Sequence, residues 1–370
     1  MLDDNSTTFD SNIKATTQAT AFFDSGLLSV ATIEYYINYA LIAVGIIGTA
    51  ANALILYALI VHNARETKKR MVNWLIINQN VIDICSCITI VISVSVRVSS
   101  IYLTGALGYI LCAIFINENL ATCLLNSSVI NLVTITIERY LKVVFPFWSK
   151  RNLKGWMISV AIVFSWIAGI LSVAPLGFVA SSVSEGVCQI FVLLYTNPEI
   201  RAGYGFYSMA SFFVLPLIIF VYCYGHILVV MRKQARVMAG HNVEGSTQSA
   251  SQAQNKRIKW NIIKTMLIVT AFFTICWFPM NIYLKLVGKF STSEEIIAYL
   301  VMLFLPYVNI SLNPFIYSTK HDGVKRILAR MIICHRHDDA AAAAGPAAGG
   351  SNNTGRTGVK RTNNTGRCQK

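Results

Sequence analysis

Charge is scarce in this chain. Asp, Glu, Lys and Arg make up 13% of its 370 residues, about half the roughly 25% of a soluble domain. Acid is the scarcer sign, with 17 Asp and Glu against 31 Lys and Arg and a net charge of +14. The nine cysteines include no CxxC pair, and no His/Cys cluster has metal-ligand spacing, which argues against a structural zinc. No nucleophile–base pair or phosphate-cradling loop is present, so an enzyme has little support. No internal duplication of the kind expected in a secondary transporter is visible. Alternating segments of a membrane β-barrel are missing too.

What the chain has instead is apolar length. It is 55% hydrophobic, with mean hydropathy +0.55. Seven runs stand out, at about 38–61, 72–96, 107–137, 156–180, 204–231, 262–287 and 296–317. A bilayer core of ~30 Å needs about 20 residues of helix, and backbone polar groups in lipid must be satisfied within the segment. The expected fold is therefore all-α, a seven-transmembrane helix bundle over 33–318. The third and seventh runs carry the most polar residues. Residues 1–32 are acidic and Ser/Thr-rich and read as a disordered extracellular segment without a cleavable signal, the first span serving as its own insertion signal. Residues 319–334 contain "VKRILARMIIC", apolar and basic at helical spacing, as in a short amphipathic helix on the membrane surface. Residues 335–370 are low in complexity and read as a disordered cytoplasmic tail.

The basic residues sort by side. Seven spans put the termini on opposite sides, and 26 of the 31 Lys and Arg fall on the side of the C-terminus. The positive-inside rule then predicts a cytoplasmic C-terminus and an extracellular N-terminus; the end of the bundle nearer the N-terminus is called the outer end below. This distribution argues for a membrane surface and against nucleic acid as the basic partner. Asn5 opens a glycosylation acceptor, Asn5-Ser6-Thr7. Cys112 and Cys188 fall on the outer, oxidising side and can pair. Cys334, beside the membrane, is a palmitoylation candidate.

Several residues stand out inside the runs. Asp83 is the only acid deep in span two, and a carboxylate there costs roughly 3 kcal/mol on insertion scales unless compensated. Asn52, Ser128, Asn309 and Asn313 are polar groups available to surround it. Such oxygens suit a small hard cation such as sodium, ordered water, or a plain hydrogen-bonded network. Intramembrane carboxylates also serve ion pathways, which keeps a transporter as an alternative. Pro216, Pro279 and Pro314 fall inside spans five, six and seven, where a proline removes a hydrogen bond and bends the helix. Trp277 sits two residues before Pro279, in "CWFP". Glu138 and Arg139 close the third apolar run in "TITIERYLKVVFP".

Taken in order, Asn52, Asp83, "ERY" at 138–140, Trp166, Pro216, Tyr224, Phe273 with "CWFP", and "NPFIY" at 313–317 resemble the rhodopsin-like family of G-protein-coupled receptors. The likeness runs from about residue 38 to 334. It implies a plasma-membrane receptor whose partners are a heterotrimeric G protein, an extracellular ligand, membrane lipid and arrestin. It also implies that Arg139 pairs with Glu138 at rest and is released on activation to meet the G protein. Tyr140 belongs to the same triplet, and Tyr224 and Tyr317 would swing inward to support Arg139. Phe273, Trp277, Pro279, Pro216, Asn313 and Pro314 would form the activation core.

Departures from the family pattern matter. Cys112 lies two residues further from the triplet than usual, so the top of span three is expected to be offset or bulged. The foot of span six, "NKRIKWNIIKT", has no acid to clasp Arg139, which implies appreciable basal signalling. Ala121 stands where amine receptors place an aspartate, which argues against a monoamine. Tyr307 stands where retinal-binding relatives carry lysine, which argues against covalent retinal. For the ligand, Glu118, Asn117 and Asn119 are the main polar groups of the outer half of span three. Lys285 near the outer end of span six is available to pair with Glu118 or with a ligand carboxylate. Met280, Tyr283, Tyr307 and Phe191 are candidate walls of a pocket among the helices. The acidic N-terminal segment favours a peptide ligand through charge steering, with a lipid or small organic molecule as the alternative.

Overall fold

The computed structural model describes residues 4–65, 74–189, 197–240, 267–281 and 293–320, with positions 260, 264, 327 and 329. The expectations for Phe191, Tyr283, Lys285, Cys334 and the tail 335–370 fall outside these, as do those for the side chains of Asn5 and Tyr317 and for most of the surface helix over 319–334.

Five helices among the described residues are long and apolar enough to cross a membrane: Val30–His62, Trp74–Val98, Gly105–Val144, Gly155–Val179 and Pro198–Gln234. Two shorter apolar stretches, Leu267–Asn281 and Leu300–Phe315, occupy the sixth and seventh runs. Span one is the apolar part of a helix that begins at Asp4 and ends at Arg65. Composition suggested disorder over 1–32; the helix instead extends back through most of it. No proline interrupts 4–65, and once a helix is nucleated each added residue contributes a hydrogen bond at little further cost.

Span one packs on spans two and seven, while span three packs on spans two, four and five. Two glycines allow close approach. A Cβ at Gly48 would collide with Ser311 of span seven and Cys87 of span two, and one at Gly169 would collide with Ser127 of span three. Aromatic rings fill the lower core, where Phe220 and Phe273 meet edge to face at 5.7 Å and Trp277 lies 5.7 Å above Phe273. An upper cluster gathers Leu41, Ala121, Leu125, Tyr307 and Ile310. Ile46, Ile47, Phe164, Ile167, Ile218 and Val221 point outward and are exposed, as side chains facing lipid should be.

Two spans depart from regular helix. Span three runs as α-helix from Gly105 to Leu111, widens to π-helix over Cys112–Ile116, breaks at Asn117–Glu118, and resumes at Asn119. Glu118 takes a left-handed backbone, φ 54°. This is the bulge that the displaced Cys112 predicted: extra residues are absorbed in a π turn and a reversal. Span five widens over Ala210–Val214. Pro216 explains it, since its ring clashes with the carbonyl four residues back, at Phe212.

The outer loop after span four folds into a hairpin, Ser182–Ser184 (β1) against Val187–Gln189 (β2), with Val183 opposite Cys188. Glu185 and Gly186 both have positive φ at its turn, the backbone that a two-residue hairpin requires. Cys188 is joined to Cys112 by the expected disulfide.

Candidate functional site

Asp83 is fully buried at the centre of the bundle. Its Oδ1 accepts from Gln79 Nε2 at 3.0 Å and Ser128 Oγ at 3.1 Å, and its Oδ2 accepts from Asn313 Nδ2 at 2.9 Å. Spans two, three and seven therefore meet on one carboxylate, which supplies the compensation its burial demanded. Of the expected neighbours, Ser128 and Asn313 contact Asp83 directly. Asn52 does not; its amide donates to the Gly48 and Ile310 carbonyls at 2.9 and 3.3 Å, tying span one to span seven. Asn309 is buried and meets Cys276 of span six.

The network extends further than the sequence reading reached. Gln79 Oε1 accepts from Asn131 at 2.8 Å, Asn131 Oδ1 accepts from Asn78 at 2.9 Å, and Asn78 Oδ1 accepts from the Trp166 indole at 3.0 Å. A line of polar side chains thus joins span four to Asp83. Three amides in apolar runs were the available signal, since unpaired polar groups in lipid are costly.

At the opposite end of the bundle, Arg139 Nε lies 3.3 Å from Glu138 Oε2, the pairing expected at rest. Lys142, which the sequence reading did not single out, also pairs with Glu138, one turn away. Tyr224 is already turned into the bundle, buried and hydrogen-bonded to Thr136 at 2.8 Å, beside a small cavity lined by Leu132, Phe220, Thr270 and Phe273. Tyr140 reaches His226 Nδ1 at 3.0 Å. Spans three and five are thereby clasped twice.

Pro279 lies within Leu267–Asn281, where the Asn281 amide donates to the Trp277 carbonyl at 2.9 Å. Span seven carries Pro314 and a second internal proline, Pro306.

At the outer end, Glu118 is held by two groups among the described residues. Arg97 Nη2 of span two reaches Glu118 Oε1 at 2.7 Å, and the Tyr307 hydroxyl donates to Oε2 at 2.9 Å. Arg97 was legible as a charge near the top of an apolar run, but nothing in the sequence paired it. The amides beside Glu118 do structural work rather than line an open pocket. Asn117 donates to Ser181 Oγ at 2.6 Å under the hairpin, and Asn119 donates to the Ala113 carbonyl at 2.6 Å, across the break. Ala121 is fully buried, so it lines no open surface, while Met280 is half-buried.

The class defined by this geometry is a seven-helix membrane receptor, with a polar core between a charged outer cluster and the Arg139–Glu138 pair at the opposite end. Residues 51–317 match the family model "7 transmembrane receptor (rhodopsin family)", and the chain belongs to that family, whose members are receptors and not enzymes. It is 24% identical over 311 residues to melanopsin-B of Gadus morhua, covering 81% of this chain and 48% of that protein. It is 24% identical over 309 residues to somatostatin receptor type 1 of Rattus norvegicus, covering 82% of this chain and 73% of that protein. The chain thus spans about half the length of melanopsin-B. Its fold matches squid rhodopsin with TM-score 0.65 at 17% identity, over 81% of this chain and 85% of that one.

Proposed function

We propose that the chain is a plasma-membrane receptor that converts binding of an extracellular peptide into activation of a heterotrimeric G protein, with its C-terminus in the cytoplasm. The observation that carries this reading is the continuity along span seven. Tyr307 holds the outer Glu118, and Asn313, six residues on, holds Asp83 in the core. A ligand that disturbs the first contact biases the second, and a ligand acts by preferring one of two pre-existing arrangements. The paired Glu138–Arg139 at the cytoplasmic end supports the resting member of that pair. Arrestin would meet the same face as the G protein.

Tyr307 at the lysine position, engaged with Glu118, supports a ligand held without a Schiff base. The preference for a peptide rests on the acidic N-terminal segment; a lipid or small organic ligand is the alternative. The experiment is G-protein dissociation in cells expressing the chain, challenged with tissue extract before and after protease digestion, with Arg139→Ala cells as control. Activity lost on digestion supports a peptide, and activity that survives moves the search to lipids and small molecules. Equal responses in the control cells refute signalling through this protein.

A further inference from the structure

The resting core of such a receptor offers a carboxylate and several oxygens, and its fit to sodium can be tested on the donor set. The orientation of each amide around Asp83 is fixed by atoms with a single role. The Trp166 indole N–H can only donate, so Asn78 must present Oδ1 to it. Asn78 then has only Nδ2 for Asn131, whose Oδ1 accepts it. Asn131 is left to donate, both to the Leu75 carbonyl at 3.0 Å, which can only accept, and to Gln79 Oε1. Gln79 therefore turns its NH2 group on Asp83 Oδ1 and Ser128 Oγ. The relay is locked at its start by an indole and at its middle amide, Asn131, by a backbone carbonyl.

A hard cation needs oxygen acceptors. Here the two oxygens it would share, Asp83 Oδ1 and Ser128 Oγ, face an amide nitrogen that carries partial positive charge. Asp83 Oδ2 is engaged by Asn313 Nδ2. The carboxylate thus receives three donors from the protein itself. Two buried acceptors, Asn52 Oδ1 and Asn313 Oδ1, have no partner among the described residues. They are neutral amide oxygens, open to a water donor or a cation alike, and it is the Gln79 amide nitrogen on Asp83 Oδ1 and Ser128 Oγ that makes the set unfit for sodium. The donor set does not fit sodium.

We propose that Gln79 stands in place of the cation: its amide is a tethered donor that excludes sodium from Asp83 and makes the resting core independent of it. The test uses purified full-length chain in lipid nanodiscs, with sodium ion alone as probe. Thermal unfolding is followed in sodium chloride and in choline chloride at equal ionic strength. The wild type is expected to melt at the same temperature in both salts. Gln79→Met, close in shape but without the donor, is expected to gain a sodium-specific rise of about 2 °C or more. Adding Asp83→Asn should abolish that gain. Gln79→Ala is the second variant should Gln79→Met fold poorly.

A sodium-specific rise in the wild type that Asp83→Asn removes would overturn the proposal. So would flat behaviour in the wild type and in both Gln79 variants, because exclusion would then not be the work of Gln79. The readout involves no G protein, so neither result bears on whether the chain signals.

Discussion

Glu118→Gln keeps the size of the side chain at the outer end and removes its charge, leaving the Arg97 guanidinium without its counter-ion. The cost follows from how wet the pair is. Arg97 is 28% exposed and Glu118 13%. A solvent-exposed pair contributes about 0–1 kcal/mol, whereas stripping one partner from a fully buried pair costs about 3–5 kcal/mol. With the arginine at the wetter side, each single variant should lose about 1–3 kcal/mol, read as roughly 2–4 °C of melting temperature per kcal/mol. Arg97→Gln should behave alike. The double variant removes both charges, so its loss should fall short of the sum of the singles by about 1–2 kcal/mol. Thermal unfolding of the four proteins in nanodiscs measures this. Additivity within about 0.5 kcal/mol would refute the pair as an energetic unit. Backbone strain separates out in a further comparison: at φ 54°, Glu118→Gly should be more stable than Glu118→Ala by about 1 kcal/mol. Equal stability would mean that the left-handed turn carries no strain.

Other outcomes follow from the same structure. Wild-type cells should signal without ligand above Arg139→Ala cells, and equality in a G-protein dissociation assay would refute the loose resting state. Lys142→Ala leaves Glu138 to Arg139 alone and should lower that basal signal; a rise would mean that Lys142 does not compete for the acid. Gly169→Val drives a side chain into Ser127 and should lose about 3 kcal/mol or more, seen as lost surface expression, with Ser127→Ala restoring part of it. Cys112→Ser opens a link spanning 76 residues, a loss of about 4 kcal/mol on the chain-entropy estimate, measured as a lower melting temperature.

The spans were legible because lipid demands long apolar helices, and hydropathy reports that directly. The Cys112–Cys188 bond was legible because both cysteines fall on the outer, oxidising side, and the bulge at the top of span three through one spacing, the distance from Cys112 to the triplet. Asp83 with Ser128 and Asn313 was legible because a buried carboxylate must find donors. The partner of Glu118 was not. Helical periodicity fixes which side chains share a face, but it does not fix how far a helix is rotated against its neighbour. The break at Asn117–Glu118 resets that rotation and brings Glu118 to Arg97. Gln79 escaped for another reason: a glutamine in an apolar run looks neutral, and its meaning comes from the chain of orientations that begins on another span, at Trp166.

The outer hairpin is fastened to span three and the loop before it at separate points. Cys188 is bonded to Cys112, Ser181 just ahead of β1 takes the amide of Asn117, and the Gly186 carbonyl accepts from Leu103 at 2.9 Å. The Tyr102 ring also lies so close over Gly186 that a Cβ there would strike it. Fixed in this way, the hairpin behaves as a handle. A molecule that grips it and pulls sideways applies torque to the upper segment of span three, and the weak place in that segment is the reversal at Glu118. Mechanical load from outside would therefore be delivered to the residue that spans two and seven jointly hold.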